Sequence, residues 1–125
     1  MLRTPHSAFH LRNTRTGQPL ATRVEGAFDS ASRRRGLLGR TEFADGSALI
    51  IAPCNGIHTF FMRMAIDVVF ATRDGRVLKA YRSVPAWRIA FAIRGYAAIE
   101  LPSGTLDRLD TKAGDELILA ISRPE

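Results

Sequence analysis

The residues able to do chemistry crowd into one stretch of the chain. Residues 53–70, PCNGIHTFFMRMAIDVVF, hold the only cysteine, one of three histidines and two of three methionines. Cys54, His58, Thr59, Arg63 and Asp67 are therefore expected to line a site. Cys54 and His58 stand four apart, a spacing at which a turn could bring a thiol to an imidazole, as thiolate catalysis requires. Asp67 or Glu100 would then orient the base. The surroundings, PCNGIHT, match no known cysteine-hydrolase signature, and a single cysteine beside an apolar strand also serves as a small core filler. Grouping Cys54, His58, Met62 and Met64 as soft ligands, or Cys54, His58 and Asp67 as a zinc set, gives no diagnostic spacing, so neither metal nor cofactor is expected.

Asp67 lies between Ile66 and Val68, and strand alternation puts it on the face of Val69, opposite Ile66, Val68 and Phe70. A buried carboxylate there needs a partner: Arg63, Arg88, an arginine of the 33–40 region, or the N–H groups of a neighbouring loop. Glu100, in AIEL, is a second acid of this kind, and the two would share a pocket if they projected to one side. Trp87 and Arg88, after Pro85, would make its rim, one as a stacking face and the other as an anion hook.

These residues must be held by strands. Residues 7–28 read as a hairpin punctuated at 13–19, and residues 48–52 as a buried strand ending at Pro53. Residues 66–72 and 76–84 flank Asp74-Gly75, a two-residue hairpin turn. Residues 97–101 and 116–121 are further strands; 89–96 is a loop whose apolar residues pack loosely over the barrel, and 105–112 a polar loop or short helical turn. Between the first strands and the buried one, Asp29 or Ser30 can cap a short helix over 30–38, with Gly39 ending it. Gly36 inside that helix implies a close backbone approach or a frayed last turn. Arg33, Arg34 and Arg35 point three ways round it and cannot all face one ligand; one of them, or Arg40, is expected to pair with a carboxylate. With no βαβ alternation, the fold class is α+β: a mostly antiparallel sheet curled into a barrel-like single domain, with one short helix near residues 30–38.

The 125 residues, 46% hydrophobic, suit one domain over 1–125, with residues 1–6 disordered. The net charge of +6 lies wholly in residues 1–40, where eight arginines face Glu25 and Asp29. No aromatic interleaving or recognition helix accompanies it, which argues against nucleic acid as a partner. No run of about 18 apolar residues suggests a membrane span, and the free thiol makes the cytoplasm the default location.

Taken in order, RRRGLLGR, the 53–70 stretch, DGRV, VPAWR, IELPSG and AGDEL resemble the prokaryotic family of small domains known as domain of unknown function 192. The likeness spans about residues 21–121 and implies a compact β domain, a bacterial source and no established activity. Its recurrent positions fall on Arg33, Gly36, Leu37, Arg40, His58, Met62, Asp67, Phe70, Pro85, Glu100, Gly104, Gly114 and Asp115. The Ile-His-Thr segment marks one branch; another carries aromatic-Met-Lys-Asn-Thr, so His58 is not implied to act throughout the family. The reading that follows is a non-enzymatic module binding a small polar ligand or a protein partner in a cleft around residues 54–67. His58, Thr59, Arg63, Asp67, Trp87, Arg88, Glu100 and Arg40 are its binding residues. A thiol-dependent hydrolase or transferase using Cys54, His58 and Asp67 is the alternative, and a structural assembly module the third; oligomeric state stays open.

Overall fold

The computed structural model describes residues 9–121; the expected disorder of residues 1–6 lies outside them. Ten strands and two short helices follow one another as β1 (Phe9–Asn13), β2 (Pro19–Ala21), β3 (Arg23–Ala27), α1 (Ser30–Arg35), β4 (Ser47–Ile51), β5 (Gly56–His58), β6 (Ile66–Ala71), β7 (Val77–Val84), β8 (Ile89–Phe91), β9 (Ala97–Pro102), α2 (Thr105–Arg108) and β10 (Leu117–Ile121). They form a five-stranded sheet, β3-β4-β9-β6-β7, a three-stranded sheet, β10-β1-β2, and a two-stranded ribbon, β5-β8. No sheet of the described residues closes on itself, which corrects the barrel-like expectation. The α+β class and the antiparallel majority stand, but β3 and β4 pair in parallel with α1 between them, a crossover the sequence reading excluded.

Strands β6 and β9 sit centrally and are buried at every position, which explains why, Asp67 and Glu100 apart, both read as apolar runs rather than alternating ones. The sheet therefore has two cores. Val69, Ala71, Ile99, Leu101 and Leu106 pack with Leu11, Leu20 and Leu117 on one face. Ile66, Val68, Phe70, Ala98, Leu49 and Ile51 pack with Leu37, Ala90 and Ala92 on the other, beneath the α1 end and the β5-β8 ribbon.

Local chemistry sets the element ends. Asp29 caps α1, its Oδ1 accepting the Ser32 N–H at 2.7 Å. The helix stops at Gly36 rather than Gly39, because Gly36 adopts φ 48°, ψ −128°, which a residue with a Cβ reaches only under strain. No backbone crowds Gly36; the nearest neighbours of a Cβ placed there are Glu100 Oε1 and Ile51 Cδ1, each at 3.8 Å. In the β6-β7 hairpin the Thr72 N–H donates to the Arg76 carbonyl and the Gly75 N–H to that of Thr72. The loop is thus three residues long, 73–75, with Gly75 at φ 93° in its last place. The expected second strand of the N-terminal hairpin divides at Thr22: β2 pairs with β1, whereas β3 joins the other sheet.

Candidate functional site

Strand pairing decides where the two acids go. Asp67 stands opposite Leu101 and Val68 opposite Glu100 in the β6-β9 ladder, and directly paired residues share a face. Asp67 therefore points into the first core and Glu100 into the second, so the two carboxyl groups share no pocket. Asp67 is fully buried, and its two oxygens accept the Ser83 and Leu106 N–H groups, each at 2.8 Å. Among the described residues no arginine reaches it; the carboxylate ties β7 and α2 to the central strand.

Glu100 has no such partners. It is 5% exposed, its Oε1 is out of solvent without a hydrogen bond, and burial raises its pKa to about 7. The Arg40 charge opposes that shift, but the Arg40 guanidinium is engaged elsewhere, donating to both oxygens of Glu25 at 3.0 and 2.8 Å. Arg40 is thus the arginine of the 33–40 region that pairs with a carboxylate.

Glu100 borders a cleft of about 470 Å³ between the end of α1 and the loop entering β5. Leu37, Ile51, Cys54, Ile57, His58 and Met62 also line it. Arg33, Arg34 and Arg35 all border it, at the end of α1. Arg33 closes one end by donating to the Pro53 carbonyl at 3.1 Å, just after a cis Ala52–Pro53 bond. Arg34 and Arg35 are exposed and carry no side-chain hydrogen bond or ion pair among the described residues. Six of the thirteen positions recurrent in the family resemblance, Arg33, Gly36, Leu37, His58, Met62 and Glu100, border this cavity.

Of the expected site residues, Cys54, His58 and Glu100 meet here; the others do not. Thr59 is buried and organises a loop: its hydroxyl donates to the Pro85 carbonyl at 2.7 Å and accepts the Arg88 N–H at 2.9 Å. Trp87 stacks on Phe60 and meets Phe61 edge-on, outside the cleft, and Arg63 and Arg88 are exposed away from it. The Cys54 thiol donates to the Gly56 carbonyl at 3.2 Å, and burial pushes its pKa up. His58 stacks on Phe60 at 4.7 Å, and its Nδ1 accepts the Phe60 N–H at 3.3 Å, so that nitrogen is turned to its own loop. Among the described residues no three His, Cys, Asp or Glu side chains are grouped to hold a metal ion. The cleft-facing role of 34–37 was missed because an arginine run looks like a solvated face; the Arg-x-x-Gly-Leu motif at 33–37 was the available signal.

The sequence profile of domain of unknown function 192, described as an uncharacterized ACR, matches residues 11–119. A UPF0127 protein of Thermococcus sibiricus is 33% identical over 114 residues, covering 86% of this chain and 72% of that one. Two crystal structures share the fold. One, of unknown function, from Novosphingobium aromaticivorans, superposes with a TM-score of 0.76 at 24% identity, over 89% of this chain and 83% of that one. The other, a candidate transcription regulator from Sinorhizobium meliloti, gives 0.80 at 21% identity, over 94% and 97%.

Proposed function

This chain belongs to the domain of unknown function 192, a family of uncharacterised proteins, and from that footing we propose that it is a binding module for a small polar ligand held in the Glu100 cleft. The observation that carries this reading is the Glu100 carboxyl, buried at the edge of an open cavity with no hydrogen-bond partner. A folded chain leaves such a group unmatched at a cost of about 1–3 kcal/mol, more for a charged group. A ligand that brings a hydroxyl or ammonium donor to it recovers that cost. Arg34 and Arg35, with no protein partner among the described residues, suit an anionic group at the ligand's other end. The fitting class is therefore small molecules with both a donor and an acid, such as amino acids, hydroxy acids or sugar phosphates.

Thiol catalysis is less well supported. A nucleophilic cysteine needs a lowered pKa and a base in reach, whereas Cys54 is shifted the other way and donates to a carbonyl. Of the two acids that could orient the base, Asp67 lies on the opposite face of the sheet, and only Glu100 borders the cleft with Cys54 and His58.

The test is a thermal-shift screen with amino acids, glycerate, lactate and glucose 6-phosphate, with iodoacetamide labelling of Cys54 as a second readout. A binder should raise the unfolding midpoint and shield Cys54, and Glu100→Gln should weaken it about tenfold, as loss of one charged hydrogen bond does. Asp67→Asn should cost stability and leave affinity intact. Equal binding to wild type and Glu100→Gln, or no binder at all, would sink the proposal.

A further inference from the structure

The ribbon beside the cleft is built inside out. Residues 87–94 read Trp-Arg-Ile-Ala-Phe-Ala-Ile-Arg, and it is the small Ala90 and Ala92 that face the core, at 2% and 3% exposure. The large side chains face water: Trp87 is 57% exposed, Ile89 68%, Phe91 51% and Ile93 81%. Phe61, 67% exposed, extends the row through its edge contact with Trp87 at 4.7 Å, and His58 lies opposite Ile89 across the β5-β8 pair. A ribbon covered on one side ordinarily buries its bulkier apolar residues. A contiguous apolar strip left outside marks a surface that is covered in use.

Its charge says by what. Residues 46–66 and 75–99 contain no aspartate or glutamate, while Arg63, Lys79, Arg88 and Arg94 are exposed. Lys79 lies 4.7 Å from the Phe91 ring and donates to the Phe91 carbonyl, which sets one cation on the ribbon's edge. A second copy of the chain would bring these cations face to face. Phe61, Trp87, Ile89, Phe91 and Ile93 are each more than half exposed, so they present their apolar surface to the outside. Projecting Trp, Phe and Ile with arginines interspersed match the boundary layer of a bilayer, where aromatic rings sit at headgroup depth and anionic lipids attract basic residues.

We infer that the outer face of the β5-β8 ribbon docks on an anionic lipid surface. This is peripheral attachment: no helix of the described residues is long and apolar enough to cross a membrane. It is independent of what the cleft binds.

Trp87 is the only tryptophan, so its emission reports on this face alone. With the full chain, vesicles of phosphatidylcholine containing phosphatidylglycerol should shift that emission to shorter wavelength. Phosphatidylcholine alone should not, and added salt should reverse the shift. Ile89→Ser combined with Ile93→Ser alters only exposed side chains, so folding, checked by circular dichroism, is retained while vesicle binding falls about tenfold or more. Arg88→Gln with Arg94→Gln should lower the salt dependence. No shift with the anionic vesicles, or a shift unchanged in the double serine variant, would overturn the inference. So would a concentration-dependent dimer whose emission is already shifted without lipid, since the face would then belong to a second copy.

Discussion

A carboxyl group taken out of water must find donors or give up its charge, and the acids of the two central strands do one each. Asp67 collects two backbone N–H groups; Glu100 collects none, and its pKa rises to about 7 from an unfolded value near 4.5. Between those values the folded chain holds a proton that the unfolded chain has released, so stability falls as pH rises through that window and stays lower above it. Urea unfolding at pH 5 and pH 8 should show wild type losing on the order of 2–3 kcal/mol that Glu100→Gln retains. An identical pH dependence in the two proteins would mean that Glu100 is solvated. Both acids were visible in the sequence as charges inside apolar strands. Which of them is satisfied was not, because the donors to Asp67 come from Ser83 and Leu106, 16 and 39 residues along the chain.

At the scale of elements, turn glycines differ in what they hold apart. Gly17 adopts φ 71° with nothing within 4 Å of a Cβ position, so Gly17→Ala should cost only the left-handed strain, about 1 kcal/mol. At Gly75, φ 93°, a Cβ would stand 2.2 Å from the Leu117 carbonyl oxygen, because the β6-β7 hairpin tip lies on the start of β10 and the Leu117 N–H donates to Gly75. Gly75→Ala should cost more than about 3 kcal/mol, since backbone rather than a movable side chain must give way. Denaturant midpoints of the two variants check this, and equal losses would mean that the tip can lift off β10. The Asp-Gly pair announced a hairpin, but its loop is one residue longer than read, since loop length depends on which strand residues pair. Helix α1 began where its cap residue predicted and ended early, at a glycine first read as interior.

Across the described residues, the first and last strands are joined by β1-β10 pairing and by a polar cluster beside it. Asp115 accepts from Asn13 at 2.9 Å, from Arg15 at 2.7 Å and from the Lys112 N–H at 3.0 Å, and Arg15 also reaches the Asp110 carbonyl. The Arg15 hydrogen bond leads in holding the Asp115 pKa below the ordinary carboxyl value of 3.8. Its contribution is therefore complete above that value and is lost as pH falls further, the reverse of Glu100. The contributions of these two groups are jointly greatest near pH 4, above the Asp115 range and below the unfolded Glu100 value of 4.5. Melting curves from pH 2 to 8 should show this maximum, and Asp115→Asn should flatten the acid side; an unchanged acid limb would assign it to other carboxylates. What was legible in the sequence is what alternation, turn residues and caps encode within a few neighbours: the strands, the hairpin tip, the buried acids and the family motifs. What was not legible is what pairing decides: the split into three sheets, the opposite faces of Asp67 and Glu100, the arginines at the cleft, and the apolar side of β8 turned outward. Strand period is a local property, but the side that is covered depends on contacts between residues as far apart as Asn13 and Asp115, which folding alone brings together.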